Sequence, residues 1–191
     1  IQSRARVTVA SAEVAALTVV QAIPLTGASE LTLGNGVALT VSNASGFDVN
    51  VQGGSILTLS GGSVLNANSV RVNASTLNAS IGLSFPVASD LELSGAGTIN
   101  AQGNSTLSMA SVDGTNIKSG TLNIATGSRL DVTSSSVTIA SGVTLVKDGA
   151  FGASDQISGL TVQSGGVVTH STRLLAGLVL NVTGTLDVQA G

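Results

Sequence analysis

The sequence is short of the residues that most enzymes and disulfide-stapled proteins need. It has no cysteine, tryptophan or tyrosine, and only three phenylalanines and one histidine in 191 residues. Without cysteine, stability has to come from burial and backbone pairing, and a zinc site is improbable. His170 is the one histidine, and no Gly-x-Ser-x-Gly elbow or Gly-x-x-x-x-Gly-Lys loop accompanies it. We therefore expect no catalytic activity and no bound cofactor.

Charge is scarce as well. Only 9% of the residues are charged, against about 25% in an ordinary soluble domain. The net charge of −3 and the absence of a basic run make nucleic acid an unexpected partner. No apolar run reaches the length of about 18 residues that a membrane span requires. Ser, Thr, Asn and Gly replace the missing charge, and these residues suit strands and turns better than helices.

A short phrase of alternating apolar and polar residues recurs along the chain. Alternation over three to five residues predicts a short strand with one buried face. Clusters such as Gly53-Gly54-Ser55 and Gly61-Gly62-Ser63 separate the phrases and have turn chemistry. Examples of the phrase are Leu31-Thr32-Leu33, Val49-Asn50-Val51, Leu57-Thr58-Leu59, Val70-Arg71-Val72, Leu91-Glu92-Leu93 and Leu160-Thr161-Val162.

Two sets of phrases repeat with a similar longer period. Those centred on Asn50, Arg71 and Glu92 follow one another at 21 residues. The phrase Thr-Leu/Ile-Asn returns after 22 and then 23 residues, ending at Asn78, Asn100 and Asn123. A period near 22 with two or three strands matches one coil of a solenoid, in which each coil buries its apolar positions only by stacking on its neighbours.

The period predicts an all-β fold, a right-handed parallel β-helix (β-solenoid) of about eight coils. Residues 1–191 are expected to form one domain, a fragment of a longer chain, with residues 1–25 as a candidate N-terminal cap. A β-sandwich is the rival fold, although it would not be expected to repeat side-chain identity at a fixed spacing. Residues 11–23 fit either a short helix capped by Ser11 or a strand through Leu17-Thr18-Val19.

With phrases such as Gly184-Thr185-Leu186-Asp187-Val188, the chain resembles the passenger regions of bacterial autotransporters and haemagglutinin-like adhesins. The resemblance covers most of the chain and transfers no functional residue. It implies an extracellular or cell-surface location and a structural or adhesive role. The partners it implies are other copies or neighbouring domains of the same surface protein, and glycans or proteins on host or cell surfaces.

One acidic group is a candidate metal site. Asp90 and Glu92 flank Leu91, which the alternation predicts to be buried, so both carboxylates are expected to point outward. Asp113 follows Glu92 by 21 residues and Arg71 precedes it by 21, so both are expected to stack on it. The favoured interpretation is a solvated charge ladder. The alternative is a weak Ca²⁺ site formed by Asp90, Glu92 and Asp113, since carboxylates supply the hard oxygen ligands that calcium takes.

Two other functions are compatible with a solenoid. A β-helical polysaccharide-active enzyme, or a tailspike-like depolymerase, needs carboxylates gathered on one face, and such proteins commonly use aromatic platforms for sugar rings. Ice binding is suggested by outward threonines, but single threonines on coils of varying length favour ordinary strand-forming Thr on a solvated face. The threonines concerned are Thr32, Thr58, Thr138, Thr144 and Thr161.

Overall fold

A computed structural model describes residues 1, 4–9, 16–19, 21–85 and 91–190. These residues form an all-β solenoid of about 7 turns with a period of about 23 residues. The predicted parallel solenoid is confirmed, with about 7 turns where about eight coils were expected. The right-handed sense of winding stays a prediction, in line with the general preference of parallel crossovers. No helix within the described ranges is long and apolar enough to cross a membrane.

The part of the chain that the structure describes contains 22 short strands. Residues 16–19 and 23–25 are extended, so the strand interpretation holds there and the helix does not, while residues 11–15 lie outside the described ranges. The strands are β1 (Arg6–Val9), β2 (Ala16–Val19), β3 (Ile23–Leu25), β4 (Glu30–Leu33), β5 (Ala38–Val41), β6 (Val49–Gln52), β7 (Ile56–Leu59), β8 (Val64–Asn66), β9 (Val70–Asn73), β10 (Thr76–Ala79), β11 (Leu83–Phe85), β12 (Leu91–Ser94), β13 (Gly97–Ala101), β14 (Thr106–Met109), β15 (Gly120–Ile124), β16 (Arg129–Val132), β17 (Ser136–Ile139), β18 (Val143–Lys147), β19 (Ala150–Phe151), β20 (Ile157–Val162), β21 (Val167–Thr169) and β22 (Val182–Val188).

The strands stack into parallel sheets that run along the solenoid. The longest, called the long sheet here, has eight strands in the order β1-β4-β7-β10-β13-β15-β18-β21. Shorter sheets form the other faces, in the orders β2-β5-β8, β12-β9-β6-β3, β11-β14-β16-β19 and β17-β20-β22. In most strands alternate residues point into a single apolar core that runs through the coils, whereas β1, β8, β21 and β22 have no fully buried residue.

The register of the long sheet confirms the stacking of the Thr-Leu/Ile-Asn phrases. Leu77, Ile99 and Leu122 lie on one another in β10, β13 and β15 and are at most 1% exposed. The asparagines beside them form an amide ladder. Asn100 Nδ2 donates to Asn78 Oδ1 at 2.8 Å, and Asn123 Nδ2 donates to Asn100 Oδ1 at 3.3 Å.

Buried serines satisfy the backbone where the chain turns into the long sheet. The backbone N–H of Ser29 donates to Ser55 Oγ at 3.2 Å, and that of Ser55 donates to Ser75 Oγ at 3.1 Å. All three residues are buried.

In β15, Gly120 has φ +115°, and a Cβ there would lie 2.3 Å from the carbonyl oxygen of Gly97 in the neighbouring coil. Close coil-to-coil packing therefore requires glycine at this position.

Two charged residues are buried within the described ranges, Asp48 and Lys147, and Lys147 occupies an inward position of β18. Lys147 stacks on Ile124 and is 4% exposed. Its Nζ lies 2.9 Å from Asp155 Oδ1, donates to the Gly149 carbonyl at 3.0 Å, and lies 5.1 Å from the centre of the Phe151 ring. A buried ammonium is tolerated when it is paired in this way. The alternation alone would place an apolar residue here.

We expect Ile99→Ala to lower the free energy of unfolding by about 2–5 kcal/mol, because it opens a cavity between two stacked coils. Chemical denaturation of the purified chain measures this. The outward Thr98→Ala variant in the same strand is the control and should change stability by about 0.5 kcal/mol or less. An equal cost for the two variants would contradict the assignment of the buried row.

Candidate functional site

The predicted charge ladder exists on the face formed by β9 and β12. Arg71 pairs in register with Asn50 on one side and Glu92 on the other. Arg71 Nε lies 2.9 Å from Glu92 Oε1, which confirms the predicted salt bridge. The guanidinium also lies 5.8 Å from the centre of the Phe47 ring. Attraction to the ring face adds to the ion pair in holding Arg71 against the surface.

The next rung differs from the prediction. Leu93 bridges to Ile117, so the coil after Glu92 is longer than 21 residues, and the predicted stacking of Asp113 on Glu92 is wrong. In this register Asn116 lies opposite Glu92, and the side chain of Lys118 reaches the carboxylate, where its Nζ donates to Glu92 Oε2 at 2.5 Å. Glu92 therefore lies between two cations, Arg71 and Lys118.

Asp113 has a local role in the turn before Ile117. Its Oδ1 accepts from the backbone N–H and the hydroxyl of Thr115, at 2.8 Å and 2.6 Å. Such a side chain stabilises a turn by hydrogen bonding to the backbone two residues on. Burial raises the pKa of Asp113, but hydrogen bonds from Thr115, Ser111 and Asn116 outweigh that effect, and the net pKa lies below its usual value.

The pKa of Glu92 is also lowered. Burial is the largest single influence and raises it. The hydrogen bond and the charge of Lys118, the Ser94 hydroxyl and the charge of Arg71 together outweigh burial. Glu92 is thus stabilised as a carboxylate by the positive charges of Lys118 and Arg71.

The geometry gives a calcium site little support. Asp90 lies outside the described residues, and Asp113 is hydrogen-bonded within its own turn. Across the described ranges no three residues among His, Cys, Asp and Glu are grouped so as to hold a metal. An ammonium group lies where the third carboxylate was expected. The calcium site stays an alternative hypothesis, and the Lys118 ammonium already pairs with the Glu92 carboxylate that it would need.

His170 lies beside a serine and an aspartate, but their connections differ from those of a catalytic triad. Asp148 accepts directly from the backbone N–H of Ser171, at 2.8 Å, and from its hydroxyl. His170 Nδ1 lies 2.8 Å from the Ser171 carbonyl oxygen. In a triad the histidine lies between the other two groups and accepts the serine proton. Here Asp148 ties residues 170–171 to the neighbouring coil.

A second candidate site is the outer surface of the long sheet, where two rows of side chains cross six strands, β7 to β21. We call this surface the Thr/Asn face. The first row consists of Ile56, Thr76, Thr98, Thr121, Thr144 and Val167. The second consists of Thr58, Asn78, Asn100, Asn123, Val146 and Thr169. Neither row contains a charged or aromatic residue.

The strand register shows the regularity of this face. Among the threonines considered from the sequence, Thr58 and Thr144 lie in different rows of the face, and Thr138 and Thr161 pair on another sheet. The row of Thr76, Thr98, Thr121 and Thr144 was missed. The signal for it was present in the Thr-x-Asn phrases, whose first residue repeats with the same period as the asparagine.

The C-terminal coil exposes apolar surface. Leu175 is 99% exposed and Val188 67% exposed. Beside them lies a groove of about 360 Å³, lined by residues that include Leu160, Val168 and Leu180. An exposed sheet end of this kind is normally covered.

For Glu92, acid should weaken a measurable part of the stability. Because its pKa is lowered in the folded chain, its contribution is present above the ordinary value of 4.5 and is lost as the pH falls below 4.5 through the folded-state pKa. Glu92→Gln should cost about 0–1 kcal/mol per ion pair at neutral pH. The difference from wild type should shrink in urea denaturation at lower pH. Thr138→Ala is the neutral control. A difference in unfolding free energy between Glu92→Gln and wild type that stays constant with pH would contradict this role of Glu92.

For calcium, we expect no effect. Thermal melts with millimolar Ca²⁺ and with a chelator should give the same Tm, because a ligand that binds only the folded state must raise the Tm by mass action. Asp113→Asn should show the same indifference to Ca²⁺. A Ca²⁺-dependent rise that Asp113→Asn abolishes would restore the metal site.

Comparison with known proteins adds no relative. No protein-family model matches the chain, and neither the curated proteins nor the solved structures contain a match. The fold is therefore established by the strand registers of the chain itself. The resemblance to bacterial surface proteins rests on composition and repeat phrases alone.

Proposed function

We propose that this chain is a non-catalytic structural or adhesive module of a secreted or cell-surface bacterial protein, of the autotransporter-passenger or haemagglutinin-like type. The observation that carries the proposal is the Thr/Asn face. It extends across six consecutive strands without a charge, on the order of 24 Å at the usual strand spacing. A surface of that kind supports many equivalent weak contacts.

Charge is confined to other parts of the solenoid, which supports this role. Arg71 and Lys118 both form ion pairs with Glu92 on the face of β9 and β12. On the long sheet itself, the charged pair Arg6 and Glu30 lies on β1 and β4, beyond the six strands of the face. An ordered surface without charge is suited to contact with a second surface, because bringing like charges together costs free energy.

Display of the chain on a non-adherent bacterial strain tests the proposal. We expect displayed wild-type chain to increase cell settling, or retention on mucin-coated plates, several-fold over the empty strain. The double variant Thr98→Lys, Thr121→Lys should remove the gain, because a lysine ammonium is strongly hydrated and resists removal of its water.

The matched control is Thr138→Lys, Thr161→Lys. These threonines are also stacked one coil apart and are half-buried, but they lie on the β17–β20 sheet. The control should keep the wild-type gain. No gain in either assay, with the chain detected at the cell surface by antibody, would contradict an adhesive role.

A further inference from the structure

We propose that the Thr/Asn face binds ice. This inference rests on the proposed adhesive role of that face and names its partner as the ordered surface of frozen water. Ice is uncharged, flat on a crystal plane, and repeats in two directions. The face shares the first and the last of these properties, since its two rows contain no charged residue and repeat from coil to coil.

The face is a two-dimensional array. Successive coils place equivalent side chains about 4.8 Å apart along the stack, and residues two apart in a strand lie about 6.6 Å apart. Thr76 and Asn78, Thr98 and Asn100, and Thr121 and Asn123 occupy the same two positions on three consecutive strands. A partner that itself repeats can therefore meet the same pair of groups at each rung.

The array is also stiff. All six residues of the first row are β-branched, and such side chains have restricted χ1 angles on strands. In the second row, the amides of Asn78, Asn100 and Asn123 are hydrogen-bonded to one another. Groups that are already ordered lose less conformational entropy on binding.

Each coil offers water both an apolar contact and hydrogen-bonding groups. The threonines carry a methyl group and a hydroxyl, and water beside a methyl group has restricted orientations. An amide has two N–H donors and two acceptor lone pairs, and the ladder uses one of each at Asn100. The unused donor and acceptor can anchor ordered water, which bridges polar groups almost as well as a direct hydrogen bond.

The absence of charge and of aromatic rings from the two rows decides between possible partners. A charged partner would find no counter-charge there. A polysaccharide would find hydroxyl and amide groups but no ring to stack on, although amphipathic aromatics are the usual surface for such contacts. Ice needs neither, so the rows favour ice over an uncharged polysaccharide.

Slow growth of ice in a solution of the purified chain tests the inference. We expect wild-type chain to be several-fold enriched in the ice fraction relative to a non-binding protein, and to slow recrystallisation of small ice grains. Thr98→Lys, Thr121→Lys should reduce the enrichment to the background. Thr138→Lys, Thr161→Lys should leave it unchanged. Circular dichroism and a thermal melt establish that each variant is folded.

A milder pair of substitutions keeps the test decisive if the lysine variant unfolds. Thr98→Ser, Thr121→Ser retains both hydroxyls and removes two methyl groups from the row, so enrichment in ice should fall several-fold. Wild-type chain that is not enriched would overturn the inference, as would an equal loss in the Thr138, Thr161 control. Binding to crystalline cellulose without binding to ice would also overturn it, yet would leave the adhesive role intact. If the chain binds ice but gives no gain in the cell assays, only the adhesive role on cells is contradicted.

Discussion

Parallel, in-register stacking of one coil on the next is the constraint on which the rest of the structure depends. No coil can bury its apolar residues by itself, so Leu77, Ile99 and Leu122 are sealed only because they lie on one another. The same stacking satisfies the backbone, through strand pairing on the faces and through serines such as Ser55 at the corners. Register is thereby fixed, since a shift by one residue would turn every buried side chain outward.

Because the register is fixed, outward-facing side chains at equivalent positions of successive coils lie next to one another. A threonine or asparagine chosen once and repeated each period becomes a row rather than an isolated side chain. On the long sheet this yields a neutral array, because Thr76, Thr98, Thr121 and Thr144 share one position. On the β9–β12 face the same stacking brings Arg71 against Glu92, and the result is a local charge balance. One fold thus gives its faces different chemistry.

The sequence predicted the parts of this fold in which coil length is constant. The Thr-Leu/Ile-Asn phrase predicted the Asn78, Asn100 and Asn123 ladder, because strand identity and spacing repeat together. Extrapolation of the 21-residue interval to Asp113 was wrong because the turn before Ile117 lengthens that coil and delivers Lys118 to Glu92. Loop length is decided by turn hydrogen bonds, and a spacing count contains no information about them. The Thr/Asn face was missed for a related reason, since threonines become a row only when the register assigns them to one sheet.

Lys147 shows why the interior and the exterior of a solenoid follow different rules. Inside, a charge is accepted only with its partners in place, so Lys147 requires Asp155, the Gly149 carbonyl and the ring of Phe151 around it. Outside, nothing in the packing requires six successive strands to avoid charge, because a solvated lysine or glutamate at an outward position costs little. Packing therefore does not by itself require the neutrality of both rows on the Thr/Asn face. The proposed contact with an uncharged partner would use this neutrality, and stacking of the coils provides the ordered side chains that such contact needs.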